Sequence, residues 1–138
     1  MSHSFPRFTR RPALLACAAL LLAAPGAAQP DWSQARRIDV TLSNFEYRPS
    51  DLTLRAGEPV MLHLMNIADG GHDFTARKLF ESAMIRERDK ALIRNGGVEV
   101  PAHESRDIGF TPVAGRYKVE CTHPFHHMMG MAGEILVQ

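Results

Sequence analysis

The sequence predicts an all-β domain, a sandwich or barrel of short strands, preceded by an N-terminal leader. Apolar and polar residues alternate in several short segments, as expected of strands with one buried face. Glycine and proline turn signals separate these segments. With 138 residues, 45% of them hydrophobic and 22% charged, the chain has the size and composition of one domain with a buried core.

Residues 1–28 have the composition of a secretory signal peptide. A basic start is followed by an apolar run over residues 12–24 and then by small residues, the three regions of such a signal. The apolar run is shorter than the roughly 20 residues that span a bilayer, which argues against stable membrane insertion. We therefore expect cleavage after Ala28, export to the periplasm and a mature domain over residues 29–138. An adjacent pair of arginines leaves both Sec and twin-arginine export open.

The mature domain contains eight segments with strand character. The first is typical: Ile38, Val40 and Leu42 alternate with polar residues, so one face of the strand is apolar. The predicted strands cover residues 38–42, 45–47, 52–54, 60–64, 98–100, 105–110, 117–120 and 134–137. Short strands at this spacing are typical of an antiparallel sandwich or barrel.

Residues 78–93 interrupt the strand pattern. The segment is rich in helix formers, and Leu79, Ala83 and Ile85 lie near helical spacing. An Asn-Gly-Gly sequence at residues 95–97 is a helix stop signal. We expect one inserted helix over residues 78–93 that covers the open edge of the sandwich. A partner-docking element is the alternative interpretation.

The chemistry of the chain is concentrated in residues 121–131, Cys-Thr-His-Pro-Phe-His-His-Met-Met-Gly-Met. This segment contains one cysteine, three histidines and three methionines. Thiolate, imidazole and thioether groups bind soft metals, whereas magnesium, calcium and manganese prefer oxygen. Zinc accepts cysteine and histidine, but thioether is not among its usual ligands. The donor set therefore predicts a copper site, with one copper ion per chain.

The spacing of the donors identifies candidate ligands. Cys121, His126 and Met131 follow each other in steps of five, which allows a returning loop to direct all three at one ion. A fourth ligand from a distant strand end would fix this loop to the domain. His72 is the candidate, because the two glycines before it let the backbone approach an ion closely. An ordinary loop histidine is the alternative interpretation of His72.

Together, the Cys-x4-His-x4-Met motif with Pro124 inside it and the upstream Gly-His-Asp-Phe resemble the cupredoxins. These are the small blue-copper proteins of the plastocyanin and azurin type, and this sequence is similar to those with the long ligand loop of rusticyanin and auracyanin. The resemblance covers nearly the whole mature domain. It implies a Greek-key β-sandwich or barrel of about seven to eight strands. It also implies a type 1 copper site that cycles between Cu(I) and Cu(II), with His72, Cys121 and His126 in a trigonal set and Met131 as a weak axial ligand.

Two residues near His72 are candidates for supporting the site. Asp73 can accept hydrogen bonds from the ligand loop, a role that positions ligands in metal sites. Asn66 can tie the same strands together, or it can be an ordinary turn residue.

Four further donors depart from the cupredoxin pattern: His123, His127, Met128 and Met129. The two methionines can form an apolar patch where a redox partner docks, with the histidines exposed to solvent. Alternatively, they can form a second, labile copper site. His123 is also a rival of His126 as a ligand, but its spacing of two from Cys121 makes convergence on one ion harder.

These observations lead us to expect a monomeric periplasmic carrier of single electrons that serves an unidentified redox partner protein. The alternative is a copper-tolerance or copper-buffering protein that works with copper-handling proteins. With 16 basic against 15 acidic residues, the charge balance does not favour a nucleic-acid binder. We expect no enzymatic activity, because multicopper oxidases and copper nitrite reductases share several copper centres between domains and this chain provides one domain.

Overall fold

The computed structural model describes Met1, residues 28–126 and residues 128–138. Most of the predicted signal peptide, residues 1–28, lies outside the described residues, so the leader and its cleavage site stay predictions. None of the helices in the described part of the chain is long and apolar enough to cross a membrane.

Strands dominate the described residues, and helical segments are short. The strands are β1 (Arg36–Ser43), β2 (Glu46–Arg48), β3 (Asp51–Leu54), β4 (Val60–Asn66), β5 (His72–Thr75), β6 (Met84–Ile85), β7 (Ile93–Arg94), β8 (Gly97–Val100), β9 (Ser105–Thr111), β10 (Gly115–Glu120) and β11 (Ala132–Val137). The helical segments are α1 (Arg77–Ser82) and two 3-10 helices, Trp32–Gln34 and Glu87–Leu92.

The strands form two sheets, which confirms the predicted β-sandwich. The first sheet has the order β2-β1-β4-β9-β6, and the second has the order β3-β11-β10-β5-β8-β7. Two neighbouring pairs, β1 with β4 and β3 with β11, are parallel, so the sheets are mixed, whereas the sequence predicted an antiparallel sandwich or barrel. The chain crosses to the second sheet at β3 before it returns at β4, and the returning strand therefore runs in the same direction as β1.

The core lies between the two sheets and follows the predicted alternation. Val40, Leu42 and Leu64 of the first sheet are buried, as are Val119 and Ile135 of the second. Fully burying an aliphatic side chain of this size contributes about 1.5–3 kcal/mol to folding. This apolar layer stabilises the packing of the two sheets against each other.

The single helix expected over residues 78–93 was wrong. The segment contains α1, the strand β6, a 3-10 helix and the strand β7. β6 pairs with β9 at the edge of the first sheet, and β7 pairs with β8 at the edge of the second. Edge pairing therefore overrides the helix propensity of the segment, as tertiary context often does. The segment therefore adds an edge strand to each sheet, and within the described residues no single helix covers an open edge.

The central strand β5 was missed by the sequence pattern. All four of its residues are buried, since the strand lies between β10 and β8 and is covered on both faces. A strand buried on both faces shows no alternation of apolar and polar residues. β5 begins at His72, so the candidate ligand stands at a strand end in the middle of the second sheet.

Candidate metal centre

The loop between β10 and β11 carries three of the four predicted ligands and closes on itself. The Cys121 amide donates to the Met131 carbonyl at 3.1 Å, and the Met131 amide donates to the His126 carbonyl at 3.0 Å. These bonds hold the backbones of Cys121, His126 and Met131 next to one another. The side chains of Cys121 and Met131 are fully buried.

His72 meets this loop from the neighbouring strand β5. Its Nδ1 atom lies 3.1 Å from Nδ1 of His126 and 4.0 Å from Sγ of Cys121. The Cys121 Sγ atom lies 3.4 Å from Nδ1 of His126. The three donor atoms thus surround a common point, and the structure brings together the predicted trigonal set.

Burial shifts the pKa values of the two buried ionisable donors, His72 and Cys121. Burial lowers the pKa of His72, and the neighbouring His126 and His123 lower it further. A neutral imidazole keeps the ring lone pair that a metal needs. Burial raises the pKa of the Cys121 thiol, against which the backbone amides of Asp73 and His123 act. A bound metal cation deprotonates a coordinating thiol, and burial then screens the thiolate from solvent.

The donor set fits a copper ion. Metals of this series hold imidazole nitrogen at about 2.0–2.1 Å and thiolate sulfur at about 2.3 Å, as zinc does, so donors on one ion lie only a few ångströms apart. The donor atoms of His72, Cys121 and His126 lie within 4.8 Å of one another, close enough to share one ion. The thioether of Met131 adds a soft donor within the same closed loop, and soft donors favour copper.

Asp73 supports the site in the way the sequence predicted. Its Oδ2 atom accepts hydrogen bonds from the Thr122 amide at 2.9 Å and the Thr122 hydroxyl at 2.7 Å. Its Oδ1 atom accepts a bond of 2.7 Å from the Thr75 hydroxyl. Its own amide lies 3.5 Å from Cys121 Sγ. Asp73 therefore connects β5 to the first residues of the ligand loop.

Tyr47 is a supporting residue that the sequence analysis missed. Its buried hydroxyl donates a hydrogen bond of 2.6 Å to the Asp73 carbonyl. Burial raises the pKa of Tyr47, and the charges of Cys121 and Asp73 add to this effect. The sequence pattern placed Tyr47 only within the predicted strand over residues 45–47, because its partner Asp73 is distant along the chain.

Asn66 ties two strand ends together and is more than an ordinary turn residue. Its side-chain amide donates to the carbonyls of Gly70 and Val100 at 2.9 Å each. Its carbonyl accepts from the Ala68 amide at 2.9 Å. These bonds fix the loop that leads into His72 against the end of β8.

The remaining donors of the ligand loop lie outside the trigonal set. The Nε2 atom of His123 lies 3.0 Å from a Glu99 carboxylate oxygen, so the geometry favours His126 over His123 as the ligand. Met128 and Met129 are exposed, together with Phe125. His127 lies outside the described residues, and its part in a second copper site stays a prediction.

Comparison with known proteins agrees with this geometry. The family of copper-binding proteins of the plastocyanin/azurin type matches residues 35–138. No curated protein matches the chain by sequence. Among solved structures, auracyanin B is 20% identical with a TM-score of 0.56, covering 75% of this chain and 89% of that one. Sodium-dithionite-reduced auracyanin from the photosynthetic bacterium Roseiflexus castenholzii is 19% identical with a TM-score of 0.57, covering 75% and 98%.

The fold also occurs inside larger copper enzymes. The multicopper oxidase McoA from the hyperthermophile Aquifex aeolicus is 13% identical with a TM-score of 0.58, covering 80% of this chain and 31% of that one. At these identities the structural likeness shows the fold alone. The match over residues 35–138 shows the family, and the His-Cys-His-Met cluster suits its metal. The chain therefore belongs to the plastocyanin/azurin family of copper-binding proteins, the cupredoxins, and its cofactor is one copper ion.

Proposed function

We propose that the protein is an exported, monomeric type 1 copper protein that carries single electrons between partner proteins. His72, Cys121 and His126 would hold the copper ion in a trigonal set, with Met131 as a weak axial ligand. The observation that carries this proposal is the convergence of two imidazole nitrogens and one thiol sulfur in a buried site. Copper, when bound, supplies a one-electron couple between Cu(I) and Cu(II).

The protein contributes a preorganised ligand set. His72 begins β5, and Cys121 directly follows β10, the neighbouring strand of the same sheet. The closed loop holds His126 and Met131 against these strand ends. Ligands held in this way keep their positions in both oxidation states, which limits the rearrangement that accompanies electron transfer.

His126 provides the proposed route for the electron to the surface. It is half-buried, whereas His72 and Cys121 are buried. The Phe45 ring packs edge-on against it, with the ring centroids 5.2 Å apart. The exposed Phe125, close by in the same loop, is part of an apolar surface against which a redox partner can pack.

Loading the mature chain, residues 29–138, with Cu(II) tests the proposed centre. We expect one copper per chain and an intense thiolate-to-copper absorption band, because the Cys121 sulfur is positioned to bind the ion. Cys121→Ala should abolish the band. His103→Ala is the matched control, since His103 is an exposed histidine outside the cluster. A colourless protein that binds only Cu(I) or zinc would contradict the type 1 assignment.

A copper-tolerance or copper-buffering function is the second candidate. It is favoured by Met128 and Met129, whose exposed thioethers place soft donors beside the half-buried His126. Deleting the gene separates the two functions. Copper sensitivity with intact respiration would support tolerance, and a respiratory defect at normal copper would support electron transfer. Cell fractionation with N-terminal sequencing tests periplasmic export, and we expect the mature chain to begin at Gln29.

We propose that the isolated protein is a carrier and not an enzyme. The family consists mainly of electron-transfer proteins, although its fold recurs in multicopper oxidases. The chain spans only 42% and 31% of the two oxidases to which it is similar. Turnover of nitrite or of a phenolic substrate by the copper-loaded chain would contradict this proposal.

A further inference from the structure

We propose that Asp73, Glu99 and His123 form a second metal site, which binds a divalent cation separately from the copper ligands. One donor atom from each of the three residues lies within 4.8 Å of the others. None of the three belongs to the trigonal set of His72, Cys121 and His126.

The strand register places the two carboxylates together. Asp73 of β5 and Glu99 of β8 are direct cross-strand partners, so their side chains project from the same face of the sheet. Like charges in directly opposite positions destabilise a sheet. The Asp73 side chain is only 7% exposed, which increases the cost of leaving its charge uncompensated. Hydrogen bonds from Thr75 and Thr122 stabilise the Asp73 carboxylate, and a cation beside the pair would in addition offset its repulsion from Glu99.

His123 supplies the third donor from the ligand loop. Its Nε2 atom lies 3.0 and 3.1 Å from the two Glu99 carboxylate oxygens and 3.9 Å from Asp73 Oδ2. Gly71 makes room for this approach. A Cβ atom at that position would lie 3.0 Å from Glu99 Oε1 and 3.5 Å from the His123 ring.

The donor chemistry differs from that of the copper centre. One imidazole and two carboxylates suit zinc or manganese, and the set contains no thiolate or thioether. Hydrogen bonds from Thr122 orient the Asp73 carboxylate, as supporting groups do around metal ligands. The Glu99 and His123 side chains are 56% and 31% exposed, so an ion can enter from and leave to solvent.

Two arginines lie near the candidate site. Arg77 and Arg94 line the same surface groove as Asp73 and Glu99. Within the described ranges, neither arginine forms an ion pair with either carboxylate. A hydrogen bond between His123 and Glu99 without a metal is the competing arrangement, in which His123 Nε2 lies 3.9 Å from Asp73 Oδ2.

Zinc binding at the second site would change the reduction potential of the copper centre. This extension depends on the proposed function. The Asp73 amide lies 3.5 Å from Cys121 Sγ, so the second site adjoins the copper thiolate. An added positive charge there favours the reduced copper centre, whose charge is lower. We therefore expect zinc to raise the copper reduction potential and, by reciprocity, reduction of copper to tighten zinc binding.

Calorimetric titration of the copper-loaded mature chain with Zn²⁺ tests the site, while the absorption band reports on the copper centre. We expect one Zn²⁺ per chain with the band retained. Glu99→Gln and His123→Gln should each weaken zinc binding at least about tenfold, since even supporting residues have effects of this size. Asp73→Asn should also weaken it, because the amide keeps an acceptor for Thr122 but lacks the charge. His103→Gln should change nothing, because His103 faces a single carboxylate, Asp69, at 3.0 Å.

Three results would overturn the proposal: no zinc binding, zinc binding that Glu99→Gln and His123→Gln leave unchanged, or zinc uptake that displaces copper and removes the band. Each would leave His123 and Glu99 as a hydrogen-bonded pair without a metal. If the chain forms no type 1 centre, the proposed function fails independently. The second site is then tested by zinc titration of Cys121→Ala with and without the Glu99→Gln substitution.

Discussion

At the scale of single residues, Asp73 is the point where the copper centre joins the sheet. Its carboxylate accepts hydrogen bonds from Thr122 and Thr75, and its amide faces the Cys121 sulfur. Its carbonyl accepts the hydrogen bond from Tyr47. Asp73, which follows the candidate ligand His72, thus positions the ligand loop with its backbone as well as with its side chain.

Replacing Tyr47 with phenylalanine tests the backbone part of this arrangement. Tyr47→Phe should lower the free energy of unfolding at neutral pH by about 1 kcal/mol, since the Asp73 carbonyl loses a buried donor. Urea unfolding of the copper-free protein measures this change. Tyr117→Phe is the matched control, because it loses a bond of 2.8 Å to the Val113 carbonyl away from the site. An unchanged Tyr47→Phe midpoint would contradict the assigned role.

The same variant has a signature in alkaline solution. Burial raises the pKa of Tyr47 above its ordinary value of 10.0, so the unfolded chain releases this proton before the folded chain does. The stabilisation of the fold that comes from the raised pKa of Tyr47 is complete below pH 10 and is lost as the pH rises towards the folded-state pKa. Tyr47→Phe should therefore flatten the fall in unfolding free energy above about pH 10.

At the scale of elements, close strand contacts align the parts of the site. β3 runs parallel to β11, and Gly133 of β11 lies against the Ser50 backbone. A Cβ atom at position 133 would clash with the Ser50 carbonyl, which a side-chain rotation cannot relieve. This contact fixes the start of the strand that follows the ligand loop.

Gly133→Ala should therefore destabilise the protein by about 1–3 kcal/mol, the range of an overpacked core position. Gly70→Ala is the matched control, because a Cβ atom there meets nothing within 4 Å. Thermal unfolding of both variants measures the difference. Equal midpoints for the two variants would show that β3 and β11 can separate without cost.

At the scale of the whole molecule, the core and the candidate copper centre share two residues. The buried apolar side chains between the sheets form one continuous cluster, and Cys121 and Met131 lie within it. We therefore expect copper to bind ligands that the folded sandwich already holds together, and to add to stability without creating the fold.

Removing copper should leave the β-sheet circular dichroism spectrum unchanged and lower the unfolding midpoint. The shift follows from mass action, because the ion binds the folded ligand set far better than the unfolded chain. Scanning calorimetry of the copper-loaded and chelator-treated protein measures it. Loss of the β-sheet spectrum on chelation would contradict a preformed site.

Alternation and spacing along the chain predicted the strands with one buried face, the soft-metal donors and the candidate ligands Cys121, His126 and Met131, because these patterns are local. His72 was predicted from its preceding glycines and from the resemblance to the cupredoxins. Four features became visible only in the folded structure: β5 is central, residues 78–93 supply edge strands, Tyr47 supports Asp73, and Glu99 faces Asp73. Each depends on the register between segments far apart in the chain, and local periodicity carries no information about which distant strands become neighbours.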